Sequence, residues 1–452
     1  MRENNGDTFQ SDQWFAVDGN VQDGSSWSYL GEYEGGGEML NYLYIDPGTG
    51  SMLFTVLLGV FGAGIYAVRA LWMKLRFRAS GGKAKGEQTA PLTIFSDDKR
   101  YWNIFAPICK ELDARGQDVS YLTASEDDPA LKSNLPHVHA EFIGKGDKAF
   151  AALNVLHTDV LLSTTPGLDV YQWKRSRDVR WYVHILHAAG NLAGYRMFGV
   201  DYYDALLLSG KFQEDQLREL EAQRNLPAKE VVYVGIPYLD VMRKRLAEAP
   251  ALPAHEFTVL LAPSWGKSAL LSLYGERILQ ALINTGYRIV VRPHPQSFQS
   301  ETEMLERLMK QFPDTDRFSW NRDTDNFDVL RGSDVMISDF SGVIFDYALV
   351  FDKPVIYHNA KFDKAPYDSY WLKDELWTLE TLPRIGKCLD EEMLDHVKDA
   401  IDALRDDPAY RQARGRARAE VWMYPGEGAV RAADYLTQKL EELRAERSEK
   451  QK

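Results

Sequence analysis

The chain has 452 residues, a length that predicts about three structural units. With 45% hydrophobic and 26% charged residues it has the composition of a globular protein, which excludes wholesale disorder, a collagen-like repeat and a polytopic membrane protein. A net charge of −13 argues against general nucleic-acid binding, so no nucleic-acid partner is expected. Its two cysteines, Cys109 and Cys388, can build neither a disulfide framework nor a four-thiolate zinc site, and they point to a reducing compartment.

Residues 1–47 carry nine acids and one base, Arg2, so −8 of the total charge sits there. This stretch is rich in Gly, Ser, Asn and Asp, lacks hydrophobic periodicity, and is expected to be an acidic disordered tail. From Gly48 to Val68 follow 21 uncharged residues, long enough for one membrane-spanning helix. Arg69, Lys74, Arg76, Arg78, Lys83 and Lys85 come next, before any acid. Acids before and bases after predict that the C-terminal side faces the cytoplasm, with a transmembrane helix and basic linker over 48–85. A cleaved signal peptide would show the reverse charge order; an interfacial segment and a buried core helix are the other readings.

Beyond the linker, short apolar runs alternate with helical patterns. The runs are LTIFS, VSYLTA, VLLST, RWYVHIL, YDALLLSG and VVYVG, with amphipathic segments at 101–115 and 212–224. A change of composition at AEAPALPA, 247–253, predicts an interdomain linker. A second series then follows: FTVLLAPS, a helix near 269–285, YRIVVRPHP, a helix at 301–312, VMISD, a helix from about 341, and KPVIYH. Continuous apolar strands alternating with helices predict parallel sheets covered on both faces. The expected fold is α/β, with two doubly wound Rossmann-like domains at 86–246 and 247–428 and a charged C-terminal helix at 429–452. Repeats are absent, as are the P-loop, dinucleotide, zinc-helix, paired C-x-x-C and nucleophile-elbow motifs.

The chemistry-bearing residues cluster where predicted strands end, the usual ligand position in such folds. In VHILHAAGN, residues three apart on an extended strand point to opposite faces, so one of His184 and His187 should face a cleft. His187, followed by small residues that let a ligand approach, is the candidate. In VVRPHPQS, two prolines hold His294 extended beside Arg292, which suits an anion. In MISDFSGVIFDY, Ser341 and Gly342 open a helix whose free N–H groups and dipole would cradle a phosphate. Ser264, in LLAPSWGKS, sits at a further strand-to-helix turn. A histidine half-site on the first domain and an anion cradle on the second describe a nucleotide-dependent group transferase of the GT-B type.

The second domain resembles the CDP-glycerol glycerophosphotransferase family of teichoic-acid primases and polymerases. APSW at 262–265, RPHP at 292–295, SDFSGVIFDY at 338–347 and DKPVIY at 352–357 carry the resemblance. HAAG at 187–190, GIPYLD at 235–240 and GEGA at 426–429 add weaker matches. The resemblance implies a GT-B-like fold, a diphosphate at the Ser341 helix start, two functional histidines, His187 and His294, and no obligatory metal or cofactor. The chain departs from the family where HGTP with a following lysine is usual and His187-Ala188-Ala189-Gly190 stands, where Gly266 follows PSW in place of an arginine or similar residue, and where Tyr238 replaces the usual arginine. Each departure removes a cation, so the reaction class is better defined than the substrate.

The expected function is a single-pass, membrane-anchored cytoplasmic transferase in surface-polymer synthesis. It would move a polyol phosphate from a CDP-activated donor to a lipid-linked or glycan hydroxyl. His187 would be the general base. His294 and Arg292 would stabilise the diphosphate, with Ser341, Gly342 and Ser264 around it. Asp346 and Asp339 are each either a ribose contact or a structural partner. The alternatives are a GT-B glycosyltransferase using a nucleotide sugar and a non-catalytic, degenerate transferase that only binds. The oligomeric state is not legible.

Overall fold

The computed structural model describes residues 90–450, apart from 324, 360–363 and 406, together with Gly64 and Val68. The acidic tail and the predicted membrane helix and basic linker therefore lie outside the described residues, those two positions excepted. No helix among the described residues is long and apolar enough to cross a membrane.

Two all-parallel sheets organise the body. The first holds β1 (Leu92–Ser96), β2 (Val119–Thr123), β3 (Val138–Phe142), β4 (Thr158–Ser163), β5 (Val179–Ile185), β6 (Ala205–Leu208) and β7 (Glu230–Tyr233). Their order is β3-β2-β1-β4-β5-β6-β7. The second holds β8 (Thr258–Leu261), β9 (Arg288–Val291), β10 (Phe318–Trp320), β11 (Val335–Ser338), β12 (Val355–Tyr357) and β13 (Gly386–Cys388), ordered β10-β9-β8-β11-β12-β13. Both orders reverse direction once, between β1 and β4 and between β8 and β11. These are the switch points of doubly wound sheets, and the two together make the GT-B-like architecture.

The continuous apolar runs exist because each sheet is buried on both faces. Leu92, Ile94, Val160, Leu162, Val183 and Ile185 face one core, while Phe95, Leu161, Tyr182 and Leu206 face another. In the second sheet Val259, Leu261, Ile289 and Ile337 face one core and Leu260, Met336 and Val355 the other. The strands that left no apolar run in the sequence are β3, β10 and β13, with sequences VHAEF, FSW and GKC. All three lie at sheet edges.

The helix Pro237–Glu248 passes between the halves: Tyr238 packs against a core of each, and Leu239 is buried in one shared with the second sheet. The helix Pro408–Val421 buries Ala413, Ala417 and Val421 on the second half. The chain then crosses back. Met423 donates its N–H to Ser209 O at 2.9 Å, and a side chain at Gly235 would sit 2.2 Å from Met423 O. The helix Gly428–Lys450 returns to the first half, burying Ala432, Ala433, Leu436 and Leu440 in the core that contains Leu92 and Val160. Its start is fixed by the Asp240 carboxylate, which accepts from Trp422 Nε1 (2.9 Å), Gly426 N (2.6 Å) and Gly428 N (3.0 Å). The GIPYLD and GEGA segments are thus two sides of one joint.

Candidate functional site at the strand ends

In the first half, register pairs Phe95 with Ser163 and Ser163 with His184, so the C-terminal ends of β1, β4 and β5 lie side by side. His187 sits two residues beyond β5, half-buried. Its Nδ1 is 3.3 Å from Thr164 Oγ1 and 3.4 Å from the Tyr195 hydroxyl, and its ring lies 5.1 Å from that of Tyr101.

His184 is fully buried, yet its Nε2 is 3.0 Å from the same Tyr195 hydroxyl. β5 ends at Ile185, and the rings on either side of that end both approach this one hydroxyl. Burial, helped by the neighbouring His187, pushes the His184 imidazole down to about 3, so it stays neutral. The small residues after His187 also serve packing. Ala189 is buried in a core with residues of the second half, and Asn191 Nδ2 donates to Thr378 Oγ1 at 2.7 Å.

In the second half, Leu261 pairs with Val291 on one side and Ile337 on the other. The turns after β8, β9 and β11 are therefore adjacent, and Ser264, Arg292, His294, Ser341 and Gly342 all stand on them. Asp339, fully buried, is the clasp: its carboxylate accepts from the N–H groups of Ser264 (2.8 Å), Leu270 (2.9 Å) and Ser341 (3.2 Å). Ser341 and Ser264 are themselves buried. Arg292 donates to Asn321 Oδ1, just past β10, which aims the guanidinium. His294 Nδ1 accepts from Gln296 N at 3.1 Å, so the proton of the neutral ring belongs on Nε2. Trp265 lies 6.5 Å from the His294 ring, centroid to centroid.

The helix Val343–Val350 starts at Gly342. Its first bonds run from Ile344 N to Ser341 O and Phe345 N to Gly342 O, leaving the N–H groups of Gly342 and Val343 without a partner among the described residues. A Cβ on Gly342 would meet nothing within 4 Å. Open space over two exposed donors is what an anion at a helix start requires. Asp346 lies further along this helix and accepts from the Tyr238 hydroxyl; burial pushes its carboxyl up to about 6. Tyr238 is thus a neutral donor to this carboxyl.

Thr164 and Tyr195 were missed in the sequence. The only signal for Thr164 was Ser-Thr-Thr at a strand end, and Tyr195 sits in a loop without pattern. No group of three or more His, Cys, Asp or Glu among the described residues is placed to hold a metal.

The architecture defines a two-sheet α/β protein with switch-point sites. It is similar to the crystal structure of Methanocaldococcus jannaschii UDP-GlcNAc 2-epimerase in complex with UDP-GlcNAc and UDP, with a TM-score of 0.51 and 13% identity over 77% of this chain and 99% of that one. At that identity the likeness concerns the fold alone. Residues 200–377 match the family model described as CDP-Glycerol:Poly(glycerophosphate) glycerophosphotransferase. A teichoic acid glycerol-phosphate primase from Bacillus spizizenii is 28% identical over 163 residues, 34% of this chain. The match spans 38% of that relative's length.

Proposed function

We propose that the protein is a membrane-anchored transferase that moves a polyol-phosphate unit from a CDP-activated donor, CDP-glycerol or a close relative, to a hydroxyl of a lipid-linked or glycan acceptor during surface-polymer synthesis. The observation that carries this reading is the open helix start at Gly342, beside Arg292 and His294, inside the stretch that matches the family. The uncharged run 48–68 and the bases after it support anchoring with the body in the cytoplasm.

The acceptor oxygen attacks the phosphorus that bears the polyol. A new P–O bond forms, the P–O bond to CMP breaks, and the acceptor proton passes to His187. A proton on His187 Nδ1, donated to Thr164 or Tyr195, leaves the basic lone pair on Nε2. Arg292, the Nε2–H of His294 and the N–H groups of Gly342 and Val343 stabilise the charge that develops on the diphosphate.

The test is a thermal-shift and turnover screen of the full chain with CDP-glycerol, CDP-ribitol, UDP-sugars and GDP-sugars. A ligand that binds the native state raises its melting temperature. CDP compounds should stabilise, and CMP should be released in the presence of acceptor. Selective response to a nucleotide sugar would move the reading to a glycosyltransferase; stabilisation without turnover would make the protein a binder. His187→Ala should lower turnover by about 10²–10⁴-fold with CDP affinity unchanged, the range for a positioned base. His294→Ala should weaken both.

A further inference from the structure

Asp97 is the first residue beyond β1, and continuing the register of Phe95 with Ser163 places it opposite Thr165, beyond β4. This is the switch point of the first sheet, where the crevice of a doubly wound domain opens. The neighbouring polar groups of these turns are satisfied. Ser96 Oγ donates to Asp98 O at 2.8 Å, Asp98 accepts from Arg100 N at 2.9 Å, and Ser163 Oγ bonds Phe95 O at 3.1 Å. Asp97 Oδ1 and Thr165 Oγ1 are different: both are buried and neither makes a hydrogen bond of normal geometry among the described residues, although the two side chains lie close enough for the hydroxyl to favour the ionised carboxyl.

Other buried or half-buried aspartates in the molecule show what a structural carboxylate looks like here. Asp128 accepts from Thr123 Oγ1 and Ala130 N. Asp339 and Asp240 each take three donors. Asp368 accepts from Phe198 N, Gly199 N and Arg224. A buried acceptor left bare destabilises the fold, so an oxygen that the fold does not satisfy is available to a ligand. Burial pushes the Asp97 carboxyl up to about 6, against the nearby Thr165 hydroxyl and Arg100 charge, which leaves it mostly ionised at neutral pH.

The neighbours of both residues lead to the same histidine. Tyr101, four residues after Asp97, packs on the His187 ring, and Thr164, beside Thr165, touches His187 Nδ1. A carboxylate oxygen and a hydroxyl are a poor match for phosphate, because the carboxylate repels it, and a good match for adjacent alcohols. We infer that Asp97 and Thr165 form a hydroxyl-binding subsite that holds the polyol or sugar end of the acceptor beside His187. The inference rests on the reading of the first half as the acceptor side.

The test uses the full chain, with Asp97→Asn, Asp97→Leu and Thr165→Val. Free glycerol and ribitol are the probes, read by saturation-transfer NMR; CDP binding is read separately by calorimetry. Polyol saturation should be present in the wild type and fall at least fivefold in Asp97→Leu and Thr165→Val. CDP affinity should stay within twofold, and melting temperatures should equal or exceed the wild type, because neither oxygen holds a bond of normal geometry to the rest of the fold. Polyol signals that are absent from the wild type, or unchanged in all three variants, would overturn the subsite. So would a lower melting temperature in both Asp97 variants with polyol signals intact. A wild type that bound polyols but not CDP would leave this subsite standing and remove the donor reading instead.

Discussion

Burial decides what each histidine can do, and burial is what the sequence conceals. His184 and His187 are three letters apart in one apolar run, and nothing in their spacing says that β5 stops between them or that both meet Tyr195. The candidates at strand ends were legible because prolines, glycines and serines interrupt apolar runs there. Asp97 was not, since Ser-Asp-Asp after a strand is also an ordinary cap sequence, and only the packed structure shows which oxygen lacks a donor. His184 also makes a stability prediction. Its folded state, held down to about 3, refuses a proton that the unfolded chain accepts near 6.5. The unfolded state therefore binds more protons between those values, and stability falls as pH drops through that window. Asp97 and Asp346, raised to about 6, contribute with the opposite sign between 6 and 3.8, so the comparison must be with a variant that keeps both. Relative to His184→Gln, the wild type should lose about 1.4 kcal/mol per pH unit below about 6.5. Urea denaturation at pH 7 and pH 5 measures the difference; parallel losses in the two proteins would show that His184 takes up its proton when folded.

The element that carries most of the family signal, the β11 turn with the helix Val343–Val350 and β12, divides between site and scaffold. The Tyr347 hydroxyl donates to Ser333 O at 3.1 Å, and Lys353 Nζ reaches the carbonyls of Leu330 (3.3 Å) and Ser333, closing the end of the helix Phe327–Gly332. Asp352 holds Arg414 through a 3.0 Å bond to its Nε. Those motif residues fix the helix, which in turn aims Gly342 and Val343. A sequence motif does not separate the two uses; the surroundings of each residue do. Gly342 is the discriminating position because its φ of −59° suits any residue and an added side chain meets open space. Gly342→Val should therefore fold with little change in melting temperature and bind CDP at least tenfold more weakly, since the side chain occupies the anion's place. Ser341→Ala should cost about 0.5–1.5 kcal/mol of binding, one hydrogen bond. Wild-type CDP affinity in folded Gly342→Val, measured by calorimetry, would place the anion elsewhere.

At the scale of the whole molecule, the chain order of the strands was legible and the closure was not. Alternating apolar runs predict two parallel sheets, but the C-terminal segment is charged and amphipathic, and its pattern alone leaves open whether it packs or lies free. Its apolar stripe belongs to the first half. Ala432, Ala433, Tyr435, Leu436, Leu440 and Leu443 join the core of a sheet whose strands lie some 200 residues or more earlier in the chain, as Arg180 donating to Leu443 O at 2.6 Å confirms at the surface. Burying a leucine side chain contributes about 1.5–3 kcal/mol. The three leucines alone thus approach the whole stability of a typical domain, about 5–15 kcal/mol. A chain ending at residue 427 should expose that core, lose its cooperative melt and accumulate as aggregate, even though both the half-sites and the stretch that matches the family remain. A chain ending at Glu446 keeps every one of those buried residues and the Arg180 contacts, and should melt within a few degrees of the full protein. Circular dichroism melts of the two truncations separate these outcomes. A cooperative, near-wild-type melt of the chain ending at 427 would mean that the first half completes its core without the returning helix.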